Sequence, residues 1–177
     1  MHNSRNSLQS VGRLLLIAGG IGLAMAADPG NQEPIRLSRE ACTSLQGFSV
    51  PASAVGLPNS GLVLQTAVFV AAAENGNING DFCKVTGIVK PRNPGSPSLE
   101  FEVNLPAAWN RRALQMGGGG YDGSLVTGLT QYSNQAPNGD TPLKQGYVTV
   151  GSDGGHKGKP GFDGTFGLDD ESTAQLR

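Results

Sequence analysis

Residues 99–120 read Leu99-Glu-Phe-Glu-Val-Asn-Leu-Pro-Ala-Ala-Trp-Asn-Arg-Arg-Ala-Leu-Gln-Met-Gly-Gly-Gly-Gly120. Leu99, Phe101, Val103 and Leu105 alternate with Glu100, Glu102 and Asn104, the period-two pattern of a half-buried antiparallel strand. Glu100 and Glu102 are expected on its outward, solvated face, where they do not form a carboxylate pair suited to glycoside hydrolysis. The chain then turns from Pro106 to Asn110 around its only tryptophan, Trp109, and runs on as Arg112–Met116 into four consecutive glycines. Only glycine lets several successive backbone N–H groups point into space without side chains in the way, so such a run can cradle an anion. A plain flexible turn is the alternative. A phosphate loop is not, because no Gly-Lys-Ser/Thr follows.

Downstream, Gly146-Tyr-Val-Thr-Val150 reads as a second strand and runs directly into Gly151-Ser-Asp-Gly-Gly-His156. Two strands that each end in a glycine-rich loop point to an α/β protein, because such proteins build their sites at strand ends. Asp153 and His156 lie in the second loop, three residues apart. They could serve as a base and its orienting carboxylate; the simpler expectation is that they tie down the loop beside the site. Asp169 to Arg177 has the acidic, Ser-containing start of a capped helix without a C-terminal signal. This is the pattern expected of the N-terminal segment of a longer protein.

Upstream, Cys83–Val89 is β-like, with Gly87 as a candidate bulge, and Pro91–Pro97 is a turn. Asn75-Gly-Asn-Ile-Asn-Gly-Asp81 resembles half of a calcium loop, but its twelfth position would be Thr86 and a strand follows it, so a surface Asn/Gly turn is expected. Leu62–Ala73 leans towards a strand at its start. Ser38–Gly47, with a Ser cap and a closing Gly, predicts a short helix carrying Cys42.

The chain of 177 residues holds 27 Gly and 11 Pro with only 15% charged residues, which excludes a helical bundle or coiled coil. Its formal charge of −1 gives no footprint for nucleic acid or an anionic membrane. Residues 1–26 read as a secretory signal peptide: Arg5 and Arg13 precede the apolar run Leu14–Leu23, which ends in Ala24-Met25-Ala26. That run is too short to span a bilayer. Cleavage after Ala26 removes two Arg and no acid, leaving 11 basic against 14 acidic residues in a single domain, 27–177. Cys42 and Cys83, the only cysteines, both lie in the exported part, where one disulfide is the simplest outcome and two buried thiols the alternative. Neither has a second Cys or a His at metal-ligand spacing.

Four motifs in order carry a family likeness: Cys83-Lys-Val-Thr-Gly-Ile88, Phe101-Glu-Val-Asn-Leu-Pro-Ala-Ala-Trp-Asn110, Leu114-Gln-Met-Gly-Gly-Gly-Gly-Tyr-Asp-Gly-Ser124 and Gly146-Tyr-Val-Thr-Val-Gly-Ser-Asp-Gly-Gly-His156. From residue 40 to 177 the chain resembles the tannase and feruloyl esterase family of secreted serine esterases. The resemblance implies the N-terminal part of an α/β-hydrolase catalytic domain, ending before the nucleophile elbow, in an enzyme acting on esters of phenolic or aromatic acids. It implies that Gly120 supplies an oxyanion-hole N–H and that Cys42 and Cys83 form a disulfide. It places the nucleophilic serine, the triad Asp and His, and a lid with a structural calcium further along the chain, so no cofactor is expected in this segment. Arg111, where the family usually has Gly, and Ser152, where Thr is more common, depart from the pattern without touching a catalytic position. A secreted or periplasmic location follows from the leader. The competing expectation is a non-catalytic, β-rich binding module, favoured by the missing nucleophile: no Gly-x-Ser-x-Gly occurs in the chain.

Overall fold

The computed structural model describes residues 33–175 other than 57, 122, 133, 134, 137 and 159–162. The leader expected at residues 1–26 lies outside the described residues. Among the described residues no helix is long and apolar enough to cross a membrane.

The strands are β1 (Ile35–Arg36), β2 (Ser49–Val50), β3 (Leu62–Val70), β4 (Phe82–Val89), β5 (Leu99–Pro106), β6 (Ala108–Trp109), β7 (Ala113–Gln115) and β8 (Val148–Ser152). Two short helices, α1 (Arg39–Thr43) and α2 (Asp170–Gln175), complete the list. Six strands form a mixed sheet in the order β2-β3-β4-β5-β8-β7, and β1 pairs with β6 in a separate ribbon. Every pairing in the large sheet is antiparallel except β7 with β8, which is parallel. The ribbon takes up Trp109, which the sequence reading placed in a turn.

The alternation in β5 sets the core. Leu99 and Phe101 join Val89 in one buried cluster, and Val103 and Leu105 pack on another made by Cys42, Ala67, Cys83 and Val85. Helix α1 covers this face. Its cap is as expected, with Ser38 Oγ accepting from the Ala41 N–H at 3.1 Å, and it carries Cys42 against the sheet. Cys42 and Cys83 are bonded, with Cα atoms 5.6 Å apart.

Three expectations need correction. The irregularity lies in β3, between Leu64 and Thr66, and not at Gly87. Gly87 faces the Phe101 ring instead, and a Cβ there would overlap that ring and stand 2.7 Å from Val63 O. The outward face of β5 is also not solvated: Glu102 is 1% and Asn104 0% exposed. Lys84 Nζ pairs with Glu102 at 3.3 Å, and Asn104 Nδ2 donates to Glu102 Oε1, Thr127 O and Thr149 Oγ1. The connection from β7 to β8 crosses this face, so the polar side of the strand is buried beneath a loop and its groups find partners there.

The third concerns the Asn/Gly turn. Asn77 Nδ2 donates to Ala71 O and Gly80 O, and the Ala72 N–H donates to Asp81 Oδ1. The oxygens of the calcium-like half-loop are thus engaged with the loop's own backbone. Asn79 is buried, accepting from Thr141 Oγ1 at 2.5 Å and donating to Leu129 O at 3.2 Å. Far from being a free surface turn, this segment pins the long connection between β7 and β8.

Candidate functional site

Because β7 and β8 are parallel neighbours, the loops that leave them emerge at the same end of the sheet. The β7 loop holds Gly117–Gly120, and the β8 loop holds Asp153–His156. Cys83, paired with Leu105 of β5, lies at the far end, since Phe101 near the start of β5 is the partner of Ser152. The disulfide and the glycine loop thus occupy opposite ends of the sheet. Of the residues singled out from the sequence, the structure brings the Gly120 and His156 loops together and leaves the cysteines apart.

The glycine loop is exposed and open, with Gly120 at φ 65°, in the left-handed region that favours glycine. A Cβ built on Gly117 or Gly119 would meet nothing within 4 Å. The loop is held at both ends. Met116 N donates to Val150 O at 2.7 Å, and Gly158 N donates to Gly123 O at 3.3 Å. Gly123 sits directly against the second loop, where a Cβ would stand 2.8 Å from Gly158 N and 3.0 Å from His156 Nε2. Val126 N donates to Ser152 O at 3.2 Å, and a Cβ on Gly151 would overlap Val126 O. The glycines of the two loops therefore serve different ends: some leave the backbone open, others let two backbones touch.

Asp153 is 1% exposed and works as a brace for the strand end. Its Oδ1 accepts from Glu100 N at 3.0 Å and from Gly155 N at 2.9 Å, and its own N–H donates to Glu100 O. Burial pushes its carboxyl above the usual carboxylate value, against the pull of those two N–H groups. A raised folded-state pKa favours the folded state only while the group is protonated, below its unfolded value, and that advantage is lost as pH rises through the folded pKa. Asp153→Asn keeps the Oδ1 acceptor and removes the charge. It is expected to gain up to about 1 kcal/mol on the wild type between pH 4 and pH 7. Thermal midpoints of both proteins at the two pH values measure this, and a variant equally destabilised at both contradicts it.

His156 is 5% exposed, and neither ring nitrogen has a hydrogen-bond partner. Asp153 does not orient it, since Asp153 Oδ2 is also unpartnered. The histidine meets Phe166 instead, ring centroids 4.5 Å apart, so it braces its loop and is not poised as a general base. A cleft of about 510 Å³ beside it is lined by Ser98, Glu100, Lys157, Phe166 and Ser172 among others. Lys157 bonds Glu100 Oε1 at 2.5 Å, which holds its ammonium above the usual lysine value. Beyond the cleft Asp169 caps α2, taking the Ser172 N–H at 2.7 Å and the Ser96 hydroxyl at 2.7 Å, which together hold its carboxyl below the usual range. Glu171 accepts from the N–H groups of Arg92 and Asn93. The helix start was legible in the sequence; its docking on the β4–β5 turn was not.

Among the described residues no group of three or more His, Cys, Asp and Glu could hold a metal ion. The calcium implied for the lid does not fit this set, and no chemical step is routed through it.

An open glycine loop ending a strand that pairs in parallel within a mixed sheet is where α/β-hydrolases place an oxyanion-binding N–H. The chain belongs to the tannase and feruloyl esterase family, whose pattern matches residues 83–176. It is 40% identical over 131 residues to an uncharacterised esterase of Agrobacterium fabrum, covering 74% of this chain and 24% of that protein. It is 30% identical over 153 residues to mono(2-hydroxyethyl) terephthalate hydrolase of Piscinibacter sakaiensis, covering 78% of this chain and 24% of that protein. Feruloyl esterase B from Aspergillus oryzae is similar in structure with a TM-score of 0.48 and 20% identity, over 78% of this chain and 25% of that one. The chain thus spans about a quarter of the length of these relatives.

Proposed function

We propose that this chain supplies the oxyanion-binding part of a secreted or periplasmic serine esterase acting on esters of phenolic or aromatic acids. The observation that carries the reading is the open Gly117–Gly120 loop at the end of β7, beside the loop of its parallel neighbour β8, in a chain of the tannase and feruloyl esterase family. The nucleophile, acid and base lie outside residues 1–177, since the sequence has no Gly-x-Ser-x-Gly elbow and His156 is turned to packing. The serine attacks the ester carbonyl, and the Gly120 N–H donates to the oxygen as it gains charge. Collapse of the tetrahedral intermediate expels the alcohol and leaves an acyl-enzyme, which water then hydrolyses. Aromatic acids as the substrate class are supported by the names of the relatives: a terephthalate monoester hydrolase and a feruloyl esterase. Export is supported by the leader-like residues 1–26 and by the Cys42–Cys83 bond.

A fluorophosphonate probe on the complete protein tests the division of labour. It should label one serine outside residues 1–177 and abolish hydrolysis of methyl ferulate or methyl gallate. A label on Ser124 or Ser152 contradicts the reading.

A further inference from the structure

A run of four glycines is open enough to present N–H groups but has no side chain with which to fix itself, and glycine loses more freedom on ordering than any other residue. An oxyanion donor works only if it is already in place when charge develops. The order must therefore come from outside the run, and the first side chain after it is Tyr121.

The Tyr121 ring lies 6.0 Å from the Phe166 ring, with 59° between their planes. Phe166 in turn lies 4.5 Å from the His156 ring. These three residues come from the glycine loop, the turn Thr165–Leu168 and the β8 loop. The middle ring is anchored, because its turn leads into Asp169, which accepts from Ser96 and the Ser172 N–H. The inner ring is anchored as well, by its burial and by the backbone of Gly123 close to Nε2. The outer ring, 48% exposed, sits next to Gly120 in the chain.

We infer that Tyr121, Phe166 and His156 form a ring stack that positions the Gly120 N–H, fastening an otherwise unfixed glycine loop to the loop after β8. The inference rests on the role of Gly120 proposed above. All three are positioning residues and none touches the reacting atoms. The stack accounts for a buried histidine whose ring nitrogens bond to nothing: its flat face is what the fold uses.

The test uses the complete enzyme with Tyr121→Leu, Phe166→Leu, the double variant and Tyr121→Phe. Two readouts are taken: kcat and KM on an aromatic methyl ester, and hydrogen–deuterium exchange of the peptide spanning residues 117–123. Each leucine variant should lower kcat by about tenfold, with KM within about twofold, because a slightly misplaced donor weakens the transition state more than the ground state. Each should also speed exchange in the loop. The double variant should be no worse than the poorer single one, since both break the same stack, and Tyr121→Phe should behave as wild type. Additive losses, a change confined to KM, failure of phenylalanine to rescue, or unaltered exchange would each overturn the inference. Tyr121→Leu alters an exposed ring, so it remains informative if Phe166→Leu misfolds. A wild-type protein that hydrolyses no ester refutes the reading of Gly120. Exchange then still decides the stack: faster exchange in the variants supports it, unaltered exchange overturns it.

Discussion

Gly120→Val in the complete enzyme is expected to lower kcat by about 10²–10³-fold while changing KM far less. Gly120 stands at φ 65°, a conformation that a β-branched residue avoids, so valine forces the backbone to rotate and carries the N–H away from the developing oxyanion. The uncharged carbonyl of the bound ester feels that loss much less than the tetrahedral intermediate does, which is why the effect falls on kcat. Gly56→Ala is the matching control, because a Cβ there meets nothing within 4 Å and the site lies elsewhere; its kcat should equal the wild-type value. A Gly120→Val enzyme with normal kcat and raised KM would mean that the loop binds substrate without stabilising the transition state.

Replacing Cys42 and Cys83 together by alanine is expected to cost about 4 kcal/mol of stability, the loop-closure value for a separation of 41 residues. Both cysteines are fully buried in the cluster that joins α1 to β3, β4 and β5, so loss of packing adds to loss of the cross-link. The reading is a fall in the urea midpoint at unchanged m-value. A loss below about 1 kcal/mol would show that packing around α1 holds the segment without the covalent bond.

What was legible in the sequence was local. The alternation of Leu99 to Leu105, the Ser38 cap and the acidic start at Asp169 are patterns within one element, and each became the element it promised. The same alternation misled about burial, because a two-residue period shows that the faces of a strand differ and not what covers them. Glu102 and Asn104 are buried because the chain near Thr127 returns over β5, a contact set by topology. Trp109 escaped notice as a strand because two residues carry no period. Asn79 and the stack of Tyr121, Phe166 and His156 escaped for another reason: their partners are tens of residues away, across glycine-rich segments that carry no periodic signal. The site's outline was clearer than its scaffolding. Two strands ending in glycine loops could be read directly, whereas their parallel adjacency, which places Gly120 beside the His156 loop, required the sheet order.

The most direct test is to assay residues 27–177 alone and the complete protein side by side against p-nitrophenyl and methyl gallate esters. The account predicts that the complete protein hydrolyses them and that residues 27–177 give nothing above background, because a donor to an oxyanion has little to stabilise until a nucleophile attacks. Turnover by residues 27–177 that disappears on His156→Ala would contradict it, and would place the catalytic base inside this chain.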